Sequence, residues 1–246
     1  MITNNYRFAE HVVQISTTHE YFHKLAVEYV TTDSPEFVIT ITGDDLVEEA
    51  YLSESSQKAE GLNVVKYPDH SLEVTAVHRK LADAFLHYDI ILMHGSVISV
   101  DGVAYMFTAR SGTGKSTHTR LWRELFGDKA VMVNDDKPFI SFTADLKALA
   151  YGTPWNGKHR LGKNMSCPLK AICWLERSAT NQIKQLSSAE MLDTLLVQTY
   201  QPFDPMLKLK TLGLLNELCK RVEFYRLGCN MDPEAAIVAY EGMRPK

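Results

Sequence analysis

The 246-residue chain has only four cysteines, Cys167, Cys173, Cys219 and Cys229, and no two of them form a CxxC pair. That excludes a zinc ribbon and fits free thiols in a reducing compartment, each serving as a small core residue. No apolar run approaches the roughly 18–20 residues needed to cross a bilayer, so no membrane partner is expected. The start, MITNNYRFAEH, lacks the basic flank and apolar centre of a signal peptide, which points to the cytoplasm. There is no excess of positive charge. A formal net charge of −4 gives no general attraction to nucleic acid. Internal repeats and low-complexity segments are also absent, which excludes solenoids and tails. What remains is an ordinary globular composition, long enough to bury a full core as one large domain or as a domain with an appendage.

The first stretch, residues 1–72, reads as a small β-rich module. HVVQIS, EFVITIT and LNVVKY have strand character, and Pro68, Asp69 and Ser71 mark a break after them. The second domain is expected over residues 73–246. It opens with VTAVHRKLADAFLH, whose Val74, Val77, Leu81, Phe85 and Leu86 share a helical face. After IILMHG, the runs SVISV and VAYMFT flank Asp101-Gly102, a two-residue turn that favours a β-hairpin. A helix follows from about Lys115 to Phe126, stopped by Gly127. AVMV is a short buried strand ending in Asn134, Asp135 and Asp136. FISFTA, LKALAY, LKAICWLER and VEFYRL read as further strands. SSAEMLDTLLVQTY, PMLKLKTLGLLNELCKR and DPEAAIVAYEGM read as helices, the first capped by serine and the last with proline near its start. Strands alternating with helices imply an α/β core.

The segment FTARSGTGKST, between a strand and a helix, carries the chemistry. A P-loop has the pattern G-x-x-x-x-G-K-[ST]. Here the matching positions are Ala109, Gly114, Lys115 and Ser116, so the first glycine is replaced. Such a loop turns consecutive backbone N–H groups toward phosphate oxygens, and the following helix points its N-terminus at the same oxygens. Ser111, Gly112, Thr113, Gly114, Lys115, Ser116 and Thr117 are the candidate phosphate-binding residues. Lys115 would face the β- and γ-phosphates, and the Ser116 hydroxyl would bind Mg²⁺. Alanine at 109 is tolerable wherever φ is negative. One helix later, a strand ends in Asp135-Asp136, as a Walker B carboxylate requires. Adjacent residues of an extended chain point to opposite sides, so the pair divides into a metal ligand and a base, in an order the sequence leaves open.

These motifs together, MHGSVISVDGVAYMFTARSGTGKST followed by AVMVNDD, resemble the HPr kinase/phosphorylase family and the related ATP-type phosphoenolpyruvate carboxykinases. In that family a His-Gly step precedes a hairpin, the hairpin enters the glycine loop, and a later strand ends in paired aspartates. The resemblance is close from Ile90 to Ile140 and holds only in outline beyond. It implies a mixed sheet with a hairpin entering the P-loop, and transfer of the γ-phosphoryl group of ATP, with Mg²⁺, to a hydroxyl. Lys115 and Ser116 then carry over as phosphate and metal ligands, Asp135 as a metal ligand, Asp136 or Asp135 as the base, and His94 as a residue near the reacting phosphate. The chain departs from the family after the aspartates, where YGTPWNGKHRLGKN stands. Lys158, His159, Arg160 and Lys163 make this a cationic loop that Trp155 would anchor, and Lys158 and Arg160 are the candidates for reaching the γ-phosphate. The altered segment disfavours HPr itself as substrate and is more similar to the HPr kinase-related proteins of peptide-modifying gene clusters.

The expected activity is therefore an ATP-dependent kinase acting on a serine or threonine of a peptide or protein, or on a small alcohol. Two alternatives stand beside it. A carboxykinase-like enzyme would need several arginines around a small carboxylic acid, and a nucleotide-dependent switch would bind without transfer. GTP or pyrophosphate as donor, and assembly into a homo-oligomer, stay open.

Overall fold

The computed structural model describes residues 1–244. The chain divides into two compact units, Met1–Phe85 and Leu86–Lys246.

In the first unit, strands β1 (Ile2–Phe8) and β2 (His11–Thr17) form an antiparallel hairpin. Its tight turn places Ala9 and Glu10 at φ of 46° and 71°. The short helix α1 (Tyr21–Leu25) leads toward β3 (Phe37–Thr40), which pairs parallel to β2. Helix α2 (Gly43–Ala59) follows and is opened by a capping box between Thr42 and Asp45. Helix α3 (Asp69–Leu86) is longer than the predicted Val74–His87 segment. The expected boundary at residue 72 lies inside this helix, whose residues up to Phe85 belong to the first unit. Phe85 packs its ring against His11 and Phe37, and buried Glu73 accepts from the N–H groups of Thr18 and His19. The expected small β module is present as a three-stranded sheet, and helices accompany it. LNVVKY is not a strand. Its Leu62, Val64, Val65 and Tyr67 are exposed, and the Val65 backbone is satisfied in both directions by the side-chain amide of Gln57.

The second unit is built on a nine-stranded mixed sheet. Its strands are β4 (Ile91–Leu92), β5 (Ser96–Val100), β6 (Val103–Thr108), β7 (Ala130–Asn134), β8 (Phe139–Phe142), β9 (Ala148–Tyr151), β10 (Ser166–Arg177), β11 (Gln182–Leu186) and β12 (Glu223–Cys229). Long β10 organises the sheet. It pairs with β9 at its start and further along runs parallel to both β6 and β12. Strand β5 lies antiparallel to β6 on one side and β7 on the other, so β6 and β7 end at the same edge. The β5–β6 turn holds Asp101 at φ 50° and Gly102 at φ 80°, the geometry that Asp-Gly hairpin turns need.

Helix α4 (Lys115–Phe126) follows β6, and Gly127 at φ 54° ends it. Fully buried Trp122 fixes α4 to the sheet, its ring 5.1 Å from both Tyr105 and Phe107 of β6. Tyr240 of helix α7 (Glu234–Met243) closes the same cluster at 5.7 Å. Helices α5 (Ser188–Gln198) and α6 (Pro205–Cys219) begin at the side-chain caps Ser187 and Asp204. Met191, Leu195, Leu214, Leu215 and Leu218 from these helices enter the core. Among the described residues, no helix is long and apolar enough to cross a membrane.

One polar cluster makes the first unit acid-sensitive. His23 Nδ1 accepts from the Tyr6 hydroxyl, 2.5 Å away, and Nε2 lies 3.0 Å from Thr17 Oγ1. The Thr17 hydroxyl donates to the His19 carbonyl, so it accepts from Nε2–H and the ring is neutral. Burial is the main cause that lowers the His23 pKa, opposed by the Ile2 backbone and by Glu73. The unfolded chain then takes up a proton first as pH falls below about 6.5, so stability conferred by neutral His23 is lost toward acid. We expect the thermal midpoint to fall between pH 7 and pH 5, and to fall less in His23→Gln. An equal drop in both would contradict the assignment.

Candidate functional site

The turn between β6 and α4 is shaped by two glycines. Gly112 has φ +74° and Gly114 φ +125°, and a Cβ at either would meet no atom within 4 Å. Their requirement is therefore conformational rather than steric. Ala109 is fully buried beside Phe107 and Leu121 in the core, and it is not among the residues with positive φ. Alanine fits there without strain. Beyond Gly114 the first N–H groups of α4 have no intrahelical acceptor and face out of the turn. Arg177, at the end of β10, braces the turn from outside by donating to the carbonyls of Gly112 and Thr113 at 2.6 and 3.5 Å.

The neighbouring strand β7 ends in Asn134, which is wholly buried. Its side-chain oxygen accepts from the N–H groups of Asp136 and Lys137 at 2.8 and 2.7 Å. Its amide nitrogen donates to the carbonyl and hydroxyl of Thr153 at 3.2 and 2.9 Å. This bend sends the two aspartates to different surroundings. Asp135 lines a cleft of about 460 Å³ together with Ser116, Arg120, Arg123 and His159. Asp136 lies 3.4 Å from His94 Nε2.

The two sides differ electrically. On the Asp135 side, the carboxylate is buried and accepts from the Gly157 N–H at 2.5 Å. Burial, opposed by that hydrogen bond, pushes its pKa up. Among the described residues no lysine or arginine pairs with it. On the Asp136 side stand three cationic or potentially cationic groups. Burial comes first in lowering the pKa of both Lys115 and Lys137, and Asp136 opposes it in each. Burial, then the charges of Lys137 and Lys115, push His94 down to about 4 against the pull of Asp136. Lys115 Nζ reaches back toward the Ala109 carbonyl at 3.4 Å. His94 is held by its own backbone, whose N–H donates to the Gln198 carbonyl at 2.7 Å.

The loop YGTPWNGKHRLGKN folds over the end of β7. Gly152 and Gly162 press against backbone and side chain so tightly that a Cβ would sit 1.8 Å from the Lys163 carbonyl oxygen or 2.0 Å from Asn156 Oδ1. Trp155 meets Phe139 edge-on at 6.5 Å. Of the loop's cations, His159 lines the Asp135 cleft, while Lys158 and Arg160 are exposed and line neither cleft beside the glycine turn. The structure thus gathers Ser116 with Asp135, and Lys115, His94 and Asp136 on the other side, but leaves Lys158 and Arg160 outside. Lys137, Arg120, Arg123 and Arg177 escaped the sequence reading. Arg120 and Arg123 had a signal in their helical spacing from Ser116, and Lys137 in its place directly after the aspartates.

A second cleft, of about 500 Å³, lies on the other flank of the glycine turn. Leu175 and Arg177 from β10, Cys229 at the end of β12, and Asn230 and Met231 just after it line this cleft.

The residues at Asp135 are compatible with a divalent cation. A buried carboxylate without a cationic partner and a hydroxyl in the same cleft supply hard oxygen donors. No group of three or more His, Cys, Asp or Glu among the described residues forms a metal cage.

No family model and no curated protein matches the chain. Among solved structures it is similar to the Hpr(Ser) kinase/phosphatase from Coxiella burnetii, with a TM-score of 0.37 and 8% identity over 61% of this chain and 95% of that one. At that TM-score the likeness is too loose to transfer a site or a reaction.

Two substitutions test the geometry. Ala109→Gly should lower stability by roughly 0.5–1 kcal/mol, because only unfolded-state freedom and a methyl contact change. A gain in stability would show that the alanine strains the turn. Asn134→Ala removes acceptor and donor from a buried position and should cost about 1–3 kcal/mol in denaturant unfolding. A change within about 0.5 kcal/mol would mean that the bend holds without it.

Proposed function

We propose that the second unit is a P-loop phosphotransferase that moves the γ-phosphoryl group of ATP to a hydroxyl acceptor. The observation that carries this reading is the opposed placement of Asp135 and Asp136 beside a glycine turn that leads directly into a helix N-terminus. The triphosphate would lie on the N–H groups of Gly112 to Ser116, with Lys115 against its terminal phosphates. The nucleoside would leave the turn toward the cleft of Leu175, Asn230 and Met231.

Ser116 and Asp135 would hold Mg²⁺, which when bound neutralises charge on the phosphate oxygens. Asp136 would accept the proton of the acceptor hydroxyl. The acceptor oxygen then bonds to the γ-phosphorus as the bond from that phosphorus to the ADP oxygen breaks, and ADP departs with the electron pair. Lys115 and Lys137 place positive charge where the transferring group becomes most negative. A neutral His94, with Nε2 3.4 Å from Asp136, would position that carboxylate. The acceptor class we favour is a serine or threonine of a peptide, or a small alcohol.

Incubation with Mg²⁺, γ-labelled ATP and serine- or threonine-containing peptides should move label to the acceptor. Lys115→Ala and Asp136→Asn should each reduce transfer on the order of 10²–10⁴-fold. Nucleotide binding without transfer to any acceptor would favour a switch protein, and absence of nucleotide binding would refute both.

A further inference from the structure

Arg123 has no evident structural task. Its Nε is buried and finds no acceptor among the described residues, and it joins no ion pair among them. Yet it lines the Asp135 cleft, as do Arg120 and His159. Buried donors are nearly always satisfied in folded proteins, so the unpaired Nε of this cleft-lining, half-buried arginine points to a missing acceptor.

Its position says which acceptor. Ser116, Arg120 and Arg123 fall on one face of α4, at the spacing of successive helical turns. With a rise of about 1.5 Å per residue, the Cα atoms of Arg120 and Arg123 lie roughly 6 and 10 Å along the axis from Ser116. Phosphates seated on the first N–H groups would occupy the helix start. The arginine side chains lean back toward that end but begin one and two turns away. They therefore address an oxyanion next to the triphosphate rather than the triphosphate itself. Glu124 already engages Arg120 at 2.6 Å, so of the two cleft arginines Arg123 is the one without an ion pair among the described residues. The planar fork of a guanidinium suits a phosphate or carboxylate.

Building on the phosphotransferase reading, we infer that the hydroxyl acceptor carries an oxyanion of its own, a phosphate or a carboxylate, which Arg123, supported by Arg120 and His159, holds in this cleft. Among the described residues Asp135 is the one acid lining the cleft, and its charge is the one a bound divalent cation would offset.

The test uses protein saturated with Mg²⁺ and a non-hydrolysable ATP analogue, titrated calorimetrically with inorganic phosphate and separately with acetate. Binding of either probe to the saturated protein, weakened about tenfold or more in Arg123→Gln and partly restored in Arg123→Lys, is the expected result. Preference for phosphate over acetate, or the reverse, assigns the oxyanion. The analogue's own affinity should stay within about threefold in both variants. If it falls in parallel with probe binding, the arginine serves the nucleotide and the inference is overturned. If neither probe binds the saturated wild-type protein, there is no second oxyanion site. If the analogue itself fails to bind wild-type protein, the phosphotransferase reading falls first. Arg120→Gln, which removes an exposed ion pair, provides a second variant should Arg123→Gln not fold.

Discussion

Everything at the carboxyl edge of the second unit depends on how Asn134 is satisfied. Its side chain is buried at the last position of β7, where one oxygen receives two backbone N–H groups and one nitrogen finds two acceptors on Thr153. Without those bonds the strand would run straight on, and alternate residues would keep facing the same two sides of a sheet. With them, the chain bends. Asp135 is placed against the Gly157 N–H and beside Ser116, Asp136 is placed against His94, and the glycine-rich loop is tied to the strand through Thr153. One amide side chain therefore sets the spacing of the two carboxylates and the seat of the loop.

The bend produces two compartments of different charge. Asp135 faces a cleft that it shares with Arg120, Arg123 and His159, and no lysine or arginine among the described residues pairs with it. Asp136 faces a neutral His94 and the ammonium groups of Lys115 and Lys137, whose charged forms it favours against the cost of their burial. The helix that begins at Lys115 links both sides, presenting backbone donors at its start and arginines along one face. Its rigidity comes from Trp122, locked among Tyr105, Phe107 and Tyr240, so the glycine turn is held at both ends by well-packed aromatic rings.

Much of this was legible in the sequence where a residue type is demanded by a backbone conformation or a cap. Asp101-Gly102 gave the hairpin, Gly127 the end of α4, and Ser187 with Glu190 the start of α5. Strand alternation predicts opposed aspartates, but both lie past the end of β7, where the Asn134 bend sets their directions. The first unit was read poorly for identifiable reasons. Helix α2 is largely polar, so its only strong mark was the Thr42–Asp45 cap, and β1 mixes asparagines with apolar residues. LNVVKY has strand residues but no neighbouring strand, so its preference goes unused. The site residues that were missed, Arg123 and Lys137 above all, owe their importance to what they lack or adjoin in space. A run of letters does not show that a guanidinium is unpaired, nor that an ammonium is buried beside a carboxylate.

The most direct measurement is a crystal structure with Mg²⁺ and a non-hydrolysable ATP analogue. The account predicts a triphosphate cradled by the backbone from Gly112 to Ser116, a metal between Ser116 and Asp135, and the γ-phosphorus facing Asp136. A nucleotide seated elsewhere, or a metal held by Asp136 with Asp135 left idle, would contradict it.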